Sequence, residues 1–216
     1  MKYRYVIFDM DGTLLDSIPY WNRLVPDYLE TLGLHASEDL ADRMSSMSME
    51  EGAEYLRQKF GLSKTTEEIC QEIGQRIQEH YARDMELKPG AAEWLAQLKA
   101  QGIHMCVATA SSVDLGKPAF VRHGILSSFD FLLDCGMTGV GKTSPDIYYM
   151  AAERFGASPS ECVVVEDASF ALKTAHDAGF WTIGVYEETE AEPEKAKRYS
   201  SRYIHSFQEL LTDKKM

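Results

Sequence analysis

Five short apolar runs constrain the fold of this chain more than any other feature. They are YVIFD (5–9), HMCVATA (104–110), FDFLLD (129–134), CVVVED (162–167) and WTIGVY (181–186). Each has the length of a strand, and runs that are apolar throughout belong to strands covered on both faces of a sheet. Helical patterns lie between them. AAEWLAQLKA follows Pro89-Gly90 and stops before Gly102, DIYYMAAERF follows Pro145 and stops at Gly156, and SFALKTAHDA stops at Gly179. A glycine just past the last helical residue is the usual stop signal. Strands alternating with helices predict an α/β fold: a doubly wound, Rossmann-like parallel sheet between two helical layers.

Residues 17–86 break this rhythm. The block lacks strand-like runs and has a helical pattern throughout. SMEEGAEYLRQKF opens on Ser48-x-x-Glu51 and TTEEICQEIGQRIQEHY opens on Thr65-x-x-Glu68, the reciprocal side-chain signature of a helix start. The same pattern at Ser158-x-x-Glu161 precedes a strand-like run, so the signature alone does not establish a helix. The division expected is a Rossmann-like core from residues 1–16 and 87–216, interrupted by a helical insert over 17–86.

Composition narrows the partners. The 216 residues carry a formal net charge of −12, and an acidic chain repels phosphate backbones unless it has a local basic patch. The one basic cluster, EKAKRYSSR, reads as a solvated face. No stretch approaches the roughly 18 apolar residues of a membrane span, and Asp9 and Asp11 interrupt the only apolar run near the N-terminus. The expectation is a cytoplasmic protein with neither nucleic-acid nor membrane partners, and the sequence implies no protein partner. Cysteines at 70, 106, 135 and 162 form no C-x-x-C pair and read as reduced, mostly buried thiols.

The chemistry sits at the ends of the runs. The first delivers Asp9-Met10-Asp11-Gly12-Thr13, the second Thr109 followed by Ala110-Ser111-Ser112, and the fourth Glu166-Asp167; Lys142 lies in the loop after the third. The C-terminal ends of parallel strands share one edge of the sheet, where ligands bind. Four carboxylates meeting there cannot all stay ionised without a cation. Hard oxygen donors favour Mg2+, which takes one or two carboxylates, retains waters and shares a phosphate oxygen. A lysine and a threonine hydroxyl suit the other phosphate oxygens. A carboxylate facing phosphorus can attack it, and a second carboxylate two residues on can move the protons.

These stretches resemble the four motifs of the haloacid dehalogenase superfamily, in the phosphatase branch with a helical cap that includes phosphoglycolate phosphatase-like and β-phosphoglucomutase-like enzymes. FDMDGTLLDS is similar to its first motif, VATAS to its second, GKTSPDIY to its third and VVVEDA to its fourth. The resemblance implies a Mg2+-dependent phosphatase of a small soluble phosphomonoester such as a sugar phosphate. It implies that Asp9 is the nucleophile and Asp11 the general acid/base. Thr109 and Lys142, with a backbone amide from Ala110, would bind the phosphoryl group. Asp9, the Asp11 carbonyl, Glu166 and Asp167 would hold the metal. The chain departs from the family pattern at Ala110, where asparagine is frequent, at Thr143, where proline is, and at Phe170-Ala171-Leu172, which replaces a glycine-containing turn.

Other readings remain open. A sugar phosphomutase of the same family usually carries a cap histidine shortly after the first motif, where this chain has Tyr20-Trp21-Asn22. GMTGVGKT (136–143) fits the P-loop pattern of an NTPase, but Ser144-Pro145 disfavours a helix running on from Lys142, and proline is better placed as the first residue of a new one. A non-enzymatic phospho-accepting signalling module also clusters aspartates with a threonine and a lysine, without such an insert. Tyr20, Trp21, Arg43, Met44 and Met47 lie where an insert would meet substrate or pack on itself.

Overall fold

The computed structural model describes residues 3–37, 40–44, 47 and 49–212, with the backbone alone at 41 and 42. By their contacts these form two units, one from residues up to Asp16 and from Met85 onward, the other Ser17–Asp84. The first is built on six parallel strands in the order β3-β2-β1-β4-β5-β6: β1 Tyr5–Phe8, β2 His104–Thr109, β3 Phe131–Asp134, β4 Cys162–Glu166, β5 Trp181–Val185 and β6 Arg202–Ile204. The strand order reverses beside β1, the position where such sheets open a ligand crevice at their C-terminal edge. In register, Ile7 stands level with Cys106 on one side and Val164 on the other. The β6 strand was not anticipated. It is three residues long and only Ile204 is buried, so it leaves no apolar run to read.

Burial on both faces explains why β1 and β4 carry no charged residue before Glu166, the last of β4. Val6, Ile7, Phe8, Val163, Val164 and Val165 are fully enclosed. Four helices lie in the Ser17–Asp84 unit: α1 Ile18–Thr31, α2 Leu40–Met44, α3 Met49–Phe60 and α4 Thr66–Arg83. The sheet unit adds α5 Ala91–Ala100, α6 Val113–Arg122, α7 Asp146–Phe155, α8 Ser169–Asp177, α9 Pro193–Arg198 and α10 Gln208–Leu211. One face of the sheet packs Ile7, Cys106, Leu133 and Val164 against Ile147, Tyr148 and Ala151 of α7 and Ala175 of α8. On the other face Phe8 meets Trp94 of α5 edge-on at 5.5 Å, and Trp94 packs on Phe207 at 5.4 Å. No helix among the described residues is long and apolar enough to cross a membrane.

Within the helical unit α4 buries Ile69, Ile73, Ile77 and Tyr81 along one stripe, the spacing of a single helix face. Its start is the expected capping box: Glu68 N donates to Thr65 Oγ1 at 3.2 Å and Thr65 N donates to Glu68 Oε2 at 2.8 Å. The pattern at Ser158 is a genuine cap as well, closing a 3-10 turn over Pro159–Glu161 just before β4. The box expected at Ser48 lies outside the described residues.

The two chain segments entering and leaving the helical unit pair beside the sheet. Leu15 bridges Leu87, Asp16 N donates to Glu86 O at 2.9 Å, and Lys88 N donates to Leu14 O at 2.9 Å. The Lys88 ammonium joins Asp16 at 3.1 Å and the buried Glu187 at 2.6 Å. Burial works against its charge, but the two carboxylates hold its pKa above the usual value.

Gly90 at the start of α5 has a φ of 82°, and a Cβ there would come within 2.6 Å of the Gln208 backbone nitrogen. Gly90→Ala should cost about 1–2 kcal/mol of left-handed strain plus about 1–3 kcal/mol of overpacking. Thermal unfolding should show a drop of several degrees, at about 2–4 °C per kcal/mol for a chain this size. Gly33→Ala, with a φ of 72° but open space around it, should show the strain alone.

Candidate active site

The loop after β1 is built to hold two carboxylates still. Asp9 N continues the sheet by donating to Val165 O at 2.9 Å. The chain then turns back on itself: Leu14 N and Leu15 N both donate to Met10 O, and Gly12 N donates to Leu15 O at 2.9 Å. Gly12 takes a φ of 82°, which only glycine adopts at no cost. Asp9 is thereby buried at the strand end, and Asp11 sits half-buried two residues on.

β4 ends beside it. Glu166 and Asp167 are both buried, and oxygens of Asp9, Glu166 and Asp167 lie within 4.8 Å of one another. Lys142, reaching in from the loop before α7 and itself buried, donates to both Asp9 Oδ1 and Glu166 Oε1. Two further side chains complete the group. Thr13 Oγ1 donates to Asp167 Oδ1 at 2.8 Å, and Tyr148 OH donates to Glu166 Oε1 at 3.0 Å. Neither was singled out from the sequence. Thr13 stands inside the FDMDGT stretch and could have been suspected from that position. Tyr148 gives no signal, since on α7 it reads as one more aromatic of the core stripe.

The remaining expected residues fall around this group. Thr109 ends β2, one strand over from Asp9; its side chain is buried and Oγ1 accepts from Ser111 N at 3.2 Å. Ala110 is exposed just beyond. Ser112 caps α6, its hydroxyl accepting from Asp114 N at 3.3 Å. Asp134, at the end of β3, accepts from Val113 N at 3.1 Å and so supports the same helix start. The GMTGVGKT segment has no P-loop geometry. The helix that follows it begins only at Asp146, with Pro145 as its cap rather than its first residue. The Lys142 amine is committed to carboxylates, and Thr143 is exposed.

Electrostatics gives the site its character. Burial, then the neighbouring Glu166 charge, pushes the Asp9 carboxyl up to about 7 against the opposing pull of Lys142, and Asp11 adds to the push. Burial and the charges of Asp9 and Glu166 likewise hold Asp167 well above the usual carboxylate range. Burial disfavours the Lys142 ammonium, but Asp9 and Glu166 more than offset it and its pKa is raised. One buried cation faces three buried carboxylates. An all-oxygen donor set with a deficit of positive charge fits a hard divalent ion such as Mg2+.

The thiols take no part. Cys106 and Cys162 are buried and Cys70 and Cys135 half-buried, none of the four is in a disulfide, and burial raises the pKa of each.

In the helical unit, Trp21, Leu24, Met44, Met47, Met49 and Ile73 are among the residues lining a cavity of about 480 Å³. Three of the five insert residues singled out from the sequence therefore share one cavity wall. Of the other two, Tyr20 OH donates to Asp84 O at 3.2 Å, and Arg43 is exposed.

The raised carboxyls make stability depend on pH. Between about pH 4 and 7 the folded protein holds a proton on Asp9 that the unfolded chain releases, so folding is favoured on the acid side, and that contribution is lost as pH rises through about 7. Asp167, also raised, acts in the same direction. In chelator, the melting temperature should fall from pH 5.5 to pH 8. Mg2+ should raise it more at pH 8 than at pH 5.5, and Asp167→Asn should flatten both trends in a thermal-shift titration.

Comparison with known proteins agrees with this geometry. A model of the haloacid dehalogenase-like hydrolase family matches residues 3–179. A Drosophila melanogaster protein named "Probable pseudouridine-5'-phosphatase" is 30% identical over 191 residues, covering 85% of this chain and 82% of its own. The beta-phosphoglucomutase of Bacillus subtilis (strain 168) is 29% identical over 189 residues, covering 83% of this chain and 82% of its own. Among solved structures, CbbY from Rhodobacter sphaeroides in complex with phosphate superposes with a TM-score of 0.77 at 25% identity, over 96% of each chain. The chain belongs to the haloacid dehalogenase-like hydrolase family.

Proposed function

We propose that this protein is a Mg2+-dependent phosphatase that hydrolyses a small phosphomonoester, such as a sugar phosphate, through a phosphoryl-aspartate on Asp9. The observation that carries this reading is the buried Asp9 carboxylate at the end of β1, held by Lys142 and within 4.8 Å of Glu166 and Asp167 oxygens. The metal would be held by Asp9, the Asp11 carbonyl, Glu166 and Asp167. When bound it masks negative charge on the carboxylates and on the incoming phosphoryl group.

Each step then belongs to a residue of the chain. Lys142, the Thr109 hydroxyl and the Ala110 amide bind the phosphoryl oxygens as charge builds on them. An Asp9 oxygen attacks phosphorus, and the bond from phosphorus to the ester oxygen breaks. Asp11 gives its proton to the departing alkoxide. It then takes a proton from a water that attacks the phosphoryl-aspartate, releasing inorganic phosphate and restoring Asp9. Asp11 is less buried than Asp9, as suits a group that exchanges protons with solvent and leaving group.

Residues 17–86 form the cap in this reading, and selectivity among alcohols is set there. The cavity bearing Trp21, Met44 and Met47 supports that assignment. In this reading the protein acts in the cytoplasm on a small molecule, and its acidic net charge disfavours nucleic-acid partners.

A second reading, a sugar phosphomutase, is favoured by the identity to the Bacillus subtilis enzyme. The stretch Tyr20-Trp21-Asn22 weighs against it, because it supplies no histidine to couple sugar binding to the proton chemistry. Its side chains are otherwise engaged: Trp21 Nε1 donates to Tyr81 OH at 3.2 Å, and Tyr20 packs on His80 at 4.8 Å. Incubation with a hexose 1-phosphate and a trace of the bisphosphate should release inorganic phosphate if the sugar is turned over. Efficient conversion to the 6-phosphate without phosphate release would establish the mutase instead.

Turnover of p-nitrophenyl phosphate should vanish in chelator and return with Mg2+. Asp9→Asn should abolish it with the fold intact; substantial residual activity would reject Asp9 as nucleophile. Thr109→Ala should lower the rate by on the order of 10²–10³, the usual loss for one preorganised donor, whereas the exposed Thr143→Ala should stay within a few-fold of wild type. The reverse result for the threonine pair would favour an NTPase.

A further inference from the structure

Tyr148 is tied to the cluster but absent from the mechanism above. It is the third residue of α7 and almost fully enclosed. Its ring packs on Phe180 at 6.0 Å within the core that also contains Ile7, Cys106 and Val164, and the Lys142 ammonium lies 6.0 Å from the ring centroid. From within this packing its hydroxyl donates to Glu166 Oε1 at 3.0 Å. The same oxygen accepts from Lys142. Two donors therefore converge on one Glu166 oxygen, and no hydrogen bond among the described residues engages the other.

We propose that Tyr148 is a positioning residue which, together with Lys142, occupies Glu166 Oε1 and thereby presents Oε2 to the divalent cation shared with Asp9 and Asp167. Lys142 alone cannot do this. It also serves Asp9 and the substrate phosphoryl group, so whenever its amine shifts toward either, Glu166 would be free to rotate. The phenol is a second, permanent anchor. Burial and the adjacent Glu166 charge keep it protonated, and so a donor, far above neutral pH. Hydrogen-bond partners of this kind fix the orientation of a ligand and raise its affinity for metal, commonly by about 10- to 100-fold.

This inference rests on the carboxylate cluster being the cation site, and the experiment separates the two. Mg2+ binding to the full-length protein is measured by calorimetry and by the Mg2+-dependent rise in melting temperature, without substrate. Tyr148→Phe keeps the ring and removes only the hydroxyl. Its Mg2+ affinity should fall about 10-fold or more, while kcat at saturating Mg2+ changes much less. In a Glu166→Gln background the same substitution should have little further effect on Mg2+ affinity, because the two residues act through one contact. A Tyr148→Phe variant that is less stable in chelator but binds Mg2+ as wild type does would overturn the positioning role and leave the metal site standing. Additive losses in the two backgrounds would also overturn it. A wild-type protein that binds no Mg2+ would overturn both.

Discussion

One buried ammonium shared by two carboxylates, with a third carboxylate beside them, is the constraint on which the active edge of this protein depends. Lys142 is the only cation described in contact with the group, and it bonds Asp9 and Glu166 at once. Such an arrangement is stable only if the carboxylates are held where the lysine can reach both and where protons or a metal supply the missing charge. The sheet provides the first condition. β1 and β4 are direct neighbours in register, so their last residues end side by side. Burial and the neighbouring carboxylates raise the pKa of Asp9 and Asp167, so without a metal it is protons that supply the missing charge.

Rigidity is then added one contact at a time. Thr13 ties the first loop to Asp167, Tyr148 ties α7 to Glu166, and the Met10 carbonyl closes the turn between Asp9 and Asp11. These are neutral donors and backbone groups. They orient the carboxylates without cancelling charge, so the attraction for a cation is retained. A site set on strand ends and fixed by its neighbours keeps its geometry more closely than one carried by a free loop. The helical unit is built separately, with its own buried stripe along α4 and its own Met-rich cavity. Methionine walls adapt to shape more readily than branched aliphatics.

Much of this was legible from residues alone, because it rests on local patterns. The five apolar runs mark five strands, and polar groups at their C-terminal ends mark the functional edge. What escaped notice depends on distant pairs or on elements too short for a period. β6 offers one buried residue in three. Glu187 follows the fifth run and is buried against Lys88, some hundred residues earlier in the chain, so neither residue hints at the other. Tyr148 and Glu166 meet only because α7 lies across the sheet. The Ser158 pattern teaches the converse: the cap was real, but it closes a 3-10 turn, since capping chemistry fixes where a helical turn starts and not how long it runs.

The position of β1 governs how the chain can acquire its structure. β1 lies inside the sheet and its two partners are made much later: Tyr5 pairs with His104 on one side and with Cys162 on the other. Closing those long loops is entropically slow. The helical unit between β1 and α5 needs only near neighbours, α1 and α3 each packing on α4. On a ribosome it can form while β1 is still unpaired. β1 is therefore made well before both of its neighbours, and the carboxylates at the ends of β1 and β4 stay apart until β4 is in place.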